Sequence, residues 1–347
     1  MTDHDELIRQ VRDRAERLPI ETPSPRSAMD KGRQRRRFSV ALSAMAALII
    51  ATGVAVPLRA LMRLGEDAPA TPIGPSPSGA ASFPEPTGTI AYFEGHQSFG
   101  SIALLDTASG SIEQLSNQRF SSITLAWSPD RSSIALSRSI LEGNGELVLV
   151  SATTGQIIET MPIDPGLSPQ DVDWAPDGKS LAFTDTYARL HVIGADGSGL
   201  RKVPTGGLRA LNIAWSPDGD EIAFVGDKGD LAVVDLRTGQ TDIVFVDPHG
   251  QSVWFGPAWS PDGEFLAFSV STDDGSTINI IQRDGTEFRQ LTDGALDGVN
   301  PTWSPDGNWI AFEVGGDQKD LFAVAFDGSR IADLTNTPKD EYAPDWG

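Results

Sequence analysis

Three features of the sequence predict an all-β fold, a six-bladed β-propeller. Six tryptophans, Trp127, Trp174, Trp215, Trp259, Trp303 and Trp346, stand 47, 41, 44, 44 and 43 residues apart. Five of them open one phrase, WSPD at Trp127, WAPDG at Trp174 and WSPDG at Trp215, Trp259 and Trp303. Short apolar runs such as SIALS, SLAFT, FLAFS and WIAFE lie between the phrases, and the chain's 35 Gly and 24 Pro punctuate them. Punctuation this dense breaks helices and favours short strands joined by turns. A period in the low forties with four strands per unit is the signature of a propeller blade.

One unit shows the physics. Leu211 to Trp215 reads as the innermost strand, and Ser216-Pro217-Asp218-Gly219 suits a type I turn, with Pro supplying the fixed φ of the second position. Glu221 to Phe224, Asp230 to Asp235 and Asp242 to Phe245 complete four strands. Thr238-Gly239 makes the last tight turn, and the other units use Thr154-Gly155, Asp196-Gly197, Asp284-Gly285 and Asp327-Gly328 there. The strands between neighbouring blades are buried on both faces, which blurs the polar and apolar alternation.

The first and last units are each incomplete. Residues 88–115 hold three strands, Thr89–Phe93, Ser101–Leu105 and Ser111–Leu115, without an inner one. Tyr342 to Trp346 reads as an inner strand without the other three. Together they make the sixth blade, so the C-terminal strand is expected to close the ring.

Ahead of the ring the sequence divides into residues 1–37, 38–58 and 59–87. His4 to Leu18 places Leu7, Ile8, Val11, Ala15 and Leu18 at helical spacing, the pattern of a short amphipathic helix. Phe38 to Leu58 is a run of 21 residues without a charge, about 31 Å as a helix and close to the hydrocarbon thickness of a bilayer. Lys31, Arg33, Arg35, Arg36 and Arg37 precede it, whereas Arg59 and Arg63 follow it. That asymmetry puts residues 1–37 in the cytoplasm and the ring outside, on a single-pass, uncleaved signal anchor. Pro69, Pro72, Pro75, Pro77, Pro84 and Pro86 make the next segment an extended spacer.

The phrase WSPDG-x-x-IAF at Trp215, with Asp284-Gly285 running on to Leu291-Thr292, resembles the propeller repeat of the TolB family. The resemblance covers residues 88–347 and implies the propeller fold and an envelope scaffold that binds a lipoprotein or wall component. The α/β domain that precedes the propeller in TolB is replaced here by head, span and linker. This layout also resembles membrane-anchored anti-sigma regulators, although the Cys-based zinc motif common among them is absent, the chain having no Cys.

Charge narrows the partners. Residues 1–65 carry 12 Lys and Arg against 7 Asp and Glu, net +5, and the remaining 282 residues carry 15 against 41, net −26. So acidic a ring repels phosphate backbones, which argues against nucleic acid. Catalytic patterns are absent: no Gly-x-Ser-x-Gly elbow, no phosphate-cradling Gly loop and no His-Glu-x-x-His. The expected role is non-enzymatic binding or sensing; the alternative is the envelope scaffold, and a third reading, a hydrolase or lyase at the ring's centre, is tested by substituting His249 and Asp274. His4 falls in the head, His191 in a strand where packing is expected, and His96 and His249 in loops.

The tryptophans, one per blade, are expected to pack between blades, and Asp130, Asp177, Asp218, Asp262 and Asp306 to form turns. Departures from the repeat point to the face that carries the loops between blades and between the second and third strands of each blade. Glu142, Tyr187, Asp227, His249, Asp274, Asp297 and Glu341 lie there. Acidic with scattered aromatics, that face suits a basic envelope protein, a cationic extracytoplasmic ligand or calcium, while the head helix suits a cytoplasmic partner.

The membrane reading predicts that the intact chain pellets with membranes after alkaline carbonate extraction. Recovery of the full-length chain in the carbonate supernatant would contradict it.

Overall fold

The structure, a computed structural model, describes residues 84–347 apart from 97–98, 121, 123, 140–144, 162, 165, 248–250 and 316–318. The expected head helix, membrane span and most of the linker lie outside the described residues, as do His4, Glu142 and His249.

Among the described residues, 24 strands form six four-stranded antiparallel sheets. Blade 2 holds β4 (Leu125–Trp127), β5 (Ser133–Ser139), β6 (Gly145–Ser151) and β7 (Ile157–Met161). Blade 3 holds β8 (Pro169–Trp174), β9 (Ser180–Asp185), β10 (Leu190–Gly194) and β11 (Arg201–Lys202). Blade 4 holds β12 (Leu211–Trp215), β13 (Glu221–Val225), β14 (Leu231–Asp235) and β15 (Thr241–Phe245). Blade 5 holds β16 (Val253–Trp259), β17 (Phe265–Thr272), β18 (Gly275–Gln282) and β19 (Arg289–Gln290). Blade 6 holds β20 (Gly298–Trp303), β21 (Trp309–Val314), β22 (Asp320–Ala325) and β23 (Ile331–Asp333). Blade 1 is composite: β1 (Thr89–His96), β2 (Phe99–Asp106) and β3 (Ser111–Gln114) take β24 (Glu341–Trp346) as their inner strand.

The ring therefore closes as the two incomplete units require. Ile90 pairs with Trp346, Ala91 with Asp345, Phe93 with Tyr342 and Glu94 with Glu341. The Phe93 and Tyr342 rings stack at 5.5 Å, and the Gly347 N–H donates to the Thr89 carbonyl at 3.0 Å. Gly88, with φ +127°, passes so close to the Trp346 indole that a Cβ there would stand 2.6 Å from Nε1. No other residue fits that backbone or that space.

Each tryptophan ends an inner strand, and Trp127, Trp174, Trp215, Trp259 and Trp303 pack on the blade before. Trp174 joins Leu147 and Leu149 of blade 2, Trp259 joins Val225 and Val233 of blade 4, and Trp303 joins Ile278 and Ile280 of blade 5. Middle strands are buried on both faces, as in β13 and β14, while outer strands such as β3 are exposed. The apolar core is thus divided into the interfaces between blades.

The turns follow their sequence chemistry. The Gly219 N–H donates to the Ser216 carbonyl at 3.0 Å, and Ser216 Oγ and the Asp220 N–H both donate to Asp218 Oδ1, at 2.6 and 3.0 Å. Those donors hold the Asp218 carboxyl below its ordinary range. Ser128 and Asp130, Ser260 and Asp262, and Ser304 and Asp306 repeat the arrangement, so the repeated aspartates are turn residues. These turns lie on one face of the ring, the turn face; the loops between blades lie on the other, the loop face.

The inner strands depart from the regular extension that the sequence predicts. Their register shifts at the third residue before the tryptophan, where Asn212, Gly256, Asn300 and Ala343 adopt φ of 48°, 83°, 53° and 52°. Such bulges bend and coil a strand, which is what six strands crowded around one axis demand.

The Trp346 side chain is 5 % exposed and joins both ends of the ring. Trp346→Ala is expected to cost about 3–5 kcal/mol in urea unfolding. Ile158→Ala, on the exposed side of β7, should cost less than about 0.5 kcal/mol.

Candidate functional site

The six inner strands enclose a central cavity of about 510 Å³, lined by residues from every one of them. Pro129, Pro217, Pro261 and Pro305 form its rim at the turn face. Its chemistry is set by one column of the repeat, the residue before each tryptophan: Ala126, Asp173, Ala214, Ala258, Thr302 and Asp345.

The three polar members of that column tie one blade to the next. Asp173 Oδ2 accepts the Trp215 N–H at 2.6 Å, and Asp345 Oδ2 accepts the Trp127 N–H at 2.7 Å. Thr302 Oγ1 accepts the Trp346 N–H at 3.1 Å. Where the column holds Ala214 and Ala258, the next indole acts instead: Trp259 Nε1 donates to the Ala214 carbonyl at 3.2 Å and Trp303 Nε1 to that of Ala258 at 3.1 Å. Two residues upstream of Asp173, Asp171 Oδ2 accepts the Asn212 N–H at 2.9 Å and the Thr184 hydroxyl at 3.0 Å. Asp171 is 5 % exposed, and its Oδ1 has no hydrogen-bond partner.

Burial raises all three carboxyls. Asp173 is pushed up to about 7 by desolvation, against the Trp215 N–H that lowers it, with repulsion from Asp345 adding to the rise. Desolvation likewise raises Asp171 and Asp345. The cavity thus presents pinned acidic groups, an arrangement suited to binding hydrogen-bond donors that carry positive charge. Among the described residues no group of three or more His, Asp and Glu side chains stands close enough to hold a metal ion.

The loop-face residues singled out in the sequence are dispersed. Tyr187 is 64 % exposed, with the Arg189 guanidinium 4.8 Å from its ring centre. Asp227 and Asp274 are exposed at hairpin tips. Asp297 is exposed but structural: it caps a short 3-10 helix, Gly294–Leu296, and its Oδ1 accepts the Ser276 N–H at 2.7 Å. Glu341, expected on a loop, is fully buried at the start of β24. The Thr335 and Thr337 hydroxyls donate to it, and burial, reinforced by Asp320 and Glu94, pushes its carboxyl up to about 7. His191 packs on Phe183 at 5.1 Å with Nε2 3.0 Å from Asp185 Oδ2, a strand residue held in the core.

Sequence reasoning missed Asp171, Asp173 and Asp345. The signal was there: the phrases DVDW and APDW break the Ala-Trp pair of LAW, IAW and PAW.

The raised carboxyls fix a sign. A carboxyl whose folded-state pKa exceeds its unfolded value binds its proton more tightly in the fold. Its contribution is therefore complete below the unfolded value and is lost as pH rises through the folded one. Asp173 and Glu341 place that loss on the approach to pH 7 and just above it. The urea midpoint of the chain should fall between pH 6 and pH 8, and the Asp173→Asn/Glu341→Gln double variant should flatten that slope. An unchanged slope would show that neither group titrates there.

Residues 185–347 match the family described as PD40, the TolB beta propeller domain. No curated protein matches the chain. Among solved structures, TolB from Acinetobacter baumannii aligns with a TM-score of 0.62 at 20% identity, covering 75% of this chain and 66% of that one. A putative TolB from Agrobacterium tumefaciens aligns at 0.59 and 19%, covering 76% and 99%. A chain of a nidogen/laminin complex aligns at 0.60 and 15%, covering 74% and 98%. At these identities the structural likeness shows the fold, a β-propeller similar to that of TolB, and residues 185–347 are the part of it that the family model matches.

Proposed function

We propose that this chain is a membrane-anchored interaction module that presents its propeller outside the cytoplasm to a basic protein or cationic ligand. The observation that carries the reading is where the chain joins the ring. Trp309 Nε1 donates to the Pro84 carbonyl at 2.9 Å, Arg330 pairs with Glu85 at 3.0 Å, and the Thr107 N–H and hydroxyl both donate to the Gly88 carbonyl at 3.0 Å. All of these contacts lie on the turn-face side, so the described residues that precede the ring, 84–88, leave the loop face with Tyr187, Asp227 and Asp274 uncovered. Mobile, variable loops on a rigid scaffold are where binding residues concentrate.

Charge supports a cationic partner, since residues 66–347 carry a net −26. The likeness to a chain from a nidogen/laminin complex supports a protein partner by analogy of fold. A non-catalytic role accords with a cavity whose acids are engaged in holding backbone N–H groups. Residues 1–37 would then report occupancy to a cytoplasmic partner, as in anti-sigma regulators.

The test is crosslinking and purification of the full chain from membranes, with and without calcium. Tyr187→Ala with Asp227→Asn and Asp274→Asn should lower capture of its envelope partner at least tenfold, about 1.4 kcal/mol or more. Capture that survives these changes would move the site off the loop face. If removing residues 1–37 alters no cytoplasmic partner and no transcript, the signalling role falls and an envelope scaffold holding a lipoprotein or wall component remains.

A further inference from the structure

The column before the tryptophans has a polarity pattern that ring closure does not require. Following the ring through blades 1, 2 and 3, it reads Asp345, Ala126, Asp173: a carboxylate, a methyl, a carboxylate. All three residues line the central cavity. Each carboxylate is fixed in orientation, Asp345 by the Trp127 N–H at 2.7 Å and Asp173 by the N–H groups of Trp215 at 2.6 Å and Trp174 at 2.8 Å. Neither can swing out to solvent without losing those bonds.

A second observation is independent of that pair. Asp171, also on the cavity wall in blade 3, is 5 % exposed and leaves Oδ1 without a partner. A buried carboxylate oxygen left unpaired is costly, and such an orphan points to a ligand or water as its partner. Blade 6 stands across the ring from blade 3, and its Pro301, with Pro257 of blade 5, gives the cavity an apolar wall. The single basic residue among the lining residues is Arg131, exposed on the blade 2 turn at the rim.

A metal ion fits this arrangement poorly. It needs several oxygens converging within about 2.6 Å, and no three acidic or His side chains converge among the described residues. Two separated carboxylates with the uncharged, apolar Ala126 position between them match two separated ammonium groups with methylenes between them. Each ammonium brings three donors, enough to satisfy a carboxylate already holding a backbone N–H.

We propose that the central cavity binds a linear diamine or polyamine, with one ammonium at Asp345, its alkyl spacer over Ala126, and the second ammonium at Asp173 with Asp171 behind it. The ligand would reach the cavity past the proline rim on the turn face. This inference rests on the reading of the propeller as a binding module but concerns a different surface from the loop face.

The test is calorimetric titration of the purified full chain in 150 mM-range salt (of the order of the physiological Debye regime, ~8 Å) with α,ω-diamines of increasing chain length, with propylamine and with calcium chloride. The expected result is saturable one-to-one binding that peaks at one chain length, at least tenfold tighter than propylamine. Asp345→Asn and Asp173→Asn each keep one oxygen, for the N–H of Trp127 and of Trp215 respectively, and each should reduce binding to the propylamine level. The chain-length series needs no variant, so misfolding of either substitution leaves the proposal testable. Absence of diamine binding, affinity that does not depend on chain length, or binding retained in both folded variants would overturn it. Calcium binding that displaces the diamine and is lost in the same variants would overturn it in favour of a metal. Loss of diamine binding with partner capture intact would sink this proposal alone; the reverse would sink only the loop-face reading.

Discussion

The pairing of β24 with β1 is the constraint on which the rest of the molecule depends. A four-stranded sheet has two edges, and a blade standing alone would expose the apolar faces of its middle strands. A ring solves this only if its first blade meets its last. Here one blade is assembled from both ends of the propeller sequence, so closure is a strand pairing within a sheet rather than a contact between finished units. Phe93 against Tyr342 and Trp346 over Gly88 fill the seam. Every inter-blade core then has a neighbour on each side, and the cost of ordering a long-range pairing is offset once for the whole ring.

Closure around one axis brings six inner strands together, and the cavity follows from that crowding. The bulges at Asn212, Gly256, Asn300 and Ala343 coil the strands. Backbone N–H groups turned toward the preceding blade need acceptors, and the residue before that blade's tryptophan supplies three of them. Asp173 and Asp345 therefore serve the ring first. Their desolvation works against stability, and the charge-assisted bonds to Trp215 and Trp127 oppose it. The same residues give the cavity its character, so structural and ligand-binding roles are superimposed in one column.

The two faces of the ring obey different rules. The turn face is repetitive because each Ser-Pro-Asp-Gly turn solves the same local problem with the same hydroxyl, carboxylate and backbone bonds. The chain also enters there, held by Pro84, Glu85 and Gly88. The loop face has no common problem to solve, so its residues vary. Some are bound into the fold, as Asp297 and Glu341 are, and others, such as Tyr187, stand in solvent.

The sequence by itself determined the period, the blade number, the turns and the composite sixth blade. Each of these is encoded locally: Trp marks a strand end, Pro fixes a φ, Gly permits a positive one, and two partial repeats complement each other. It also determined that the tryptophans pack between blades, because one aromatic per period has no other regular place to go. Only the tertiary structure decided which acidic residues face what. Glu341 and Asp227 look alike in the sequence, yet β24 pairing buries one and a hairpin tip exposes the other. Asp173 and Asp345 lie 172 positions apart by their numbers, and nothing local says that they share a cavity. Their proximity is a property of ring closure, which sets neighbours by blade order and strand position rather than by distance along the chain.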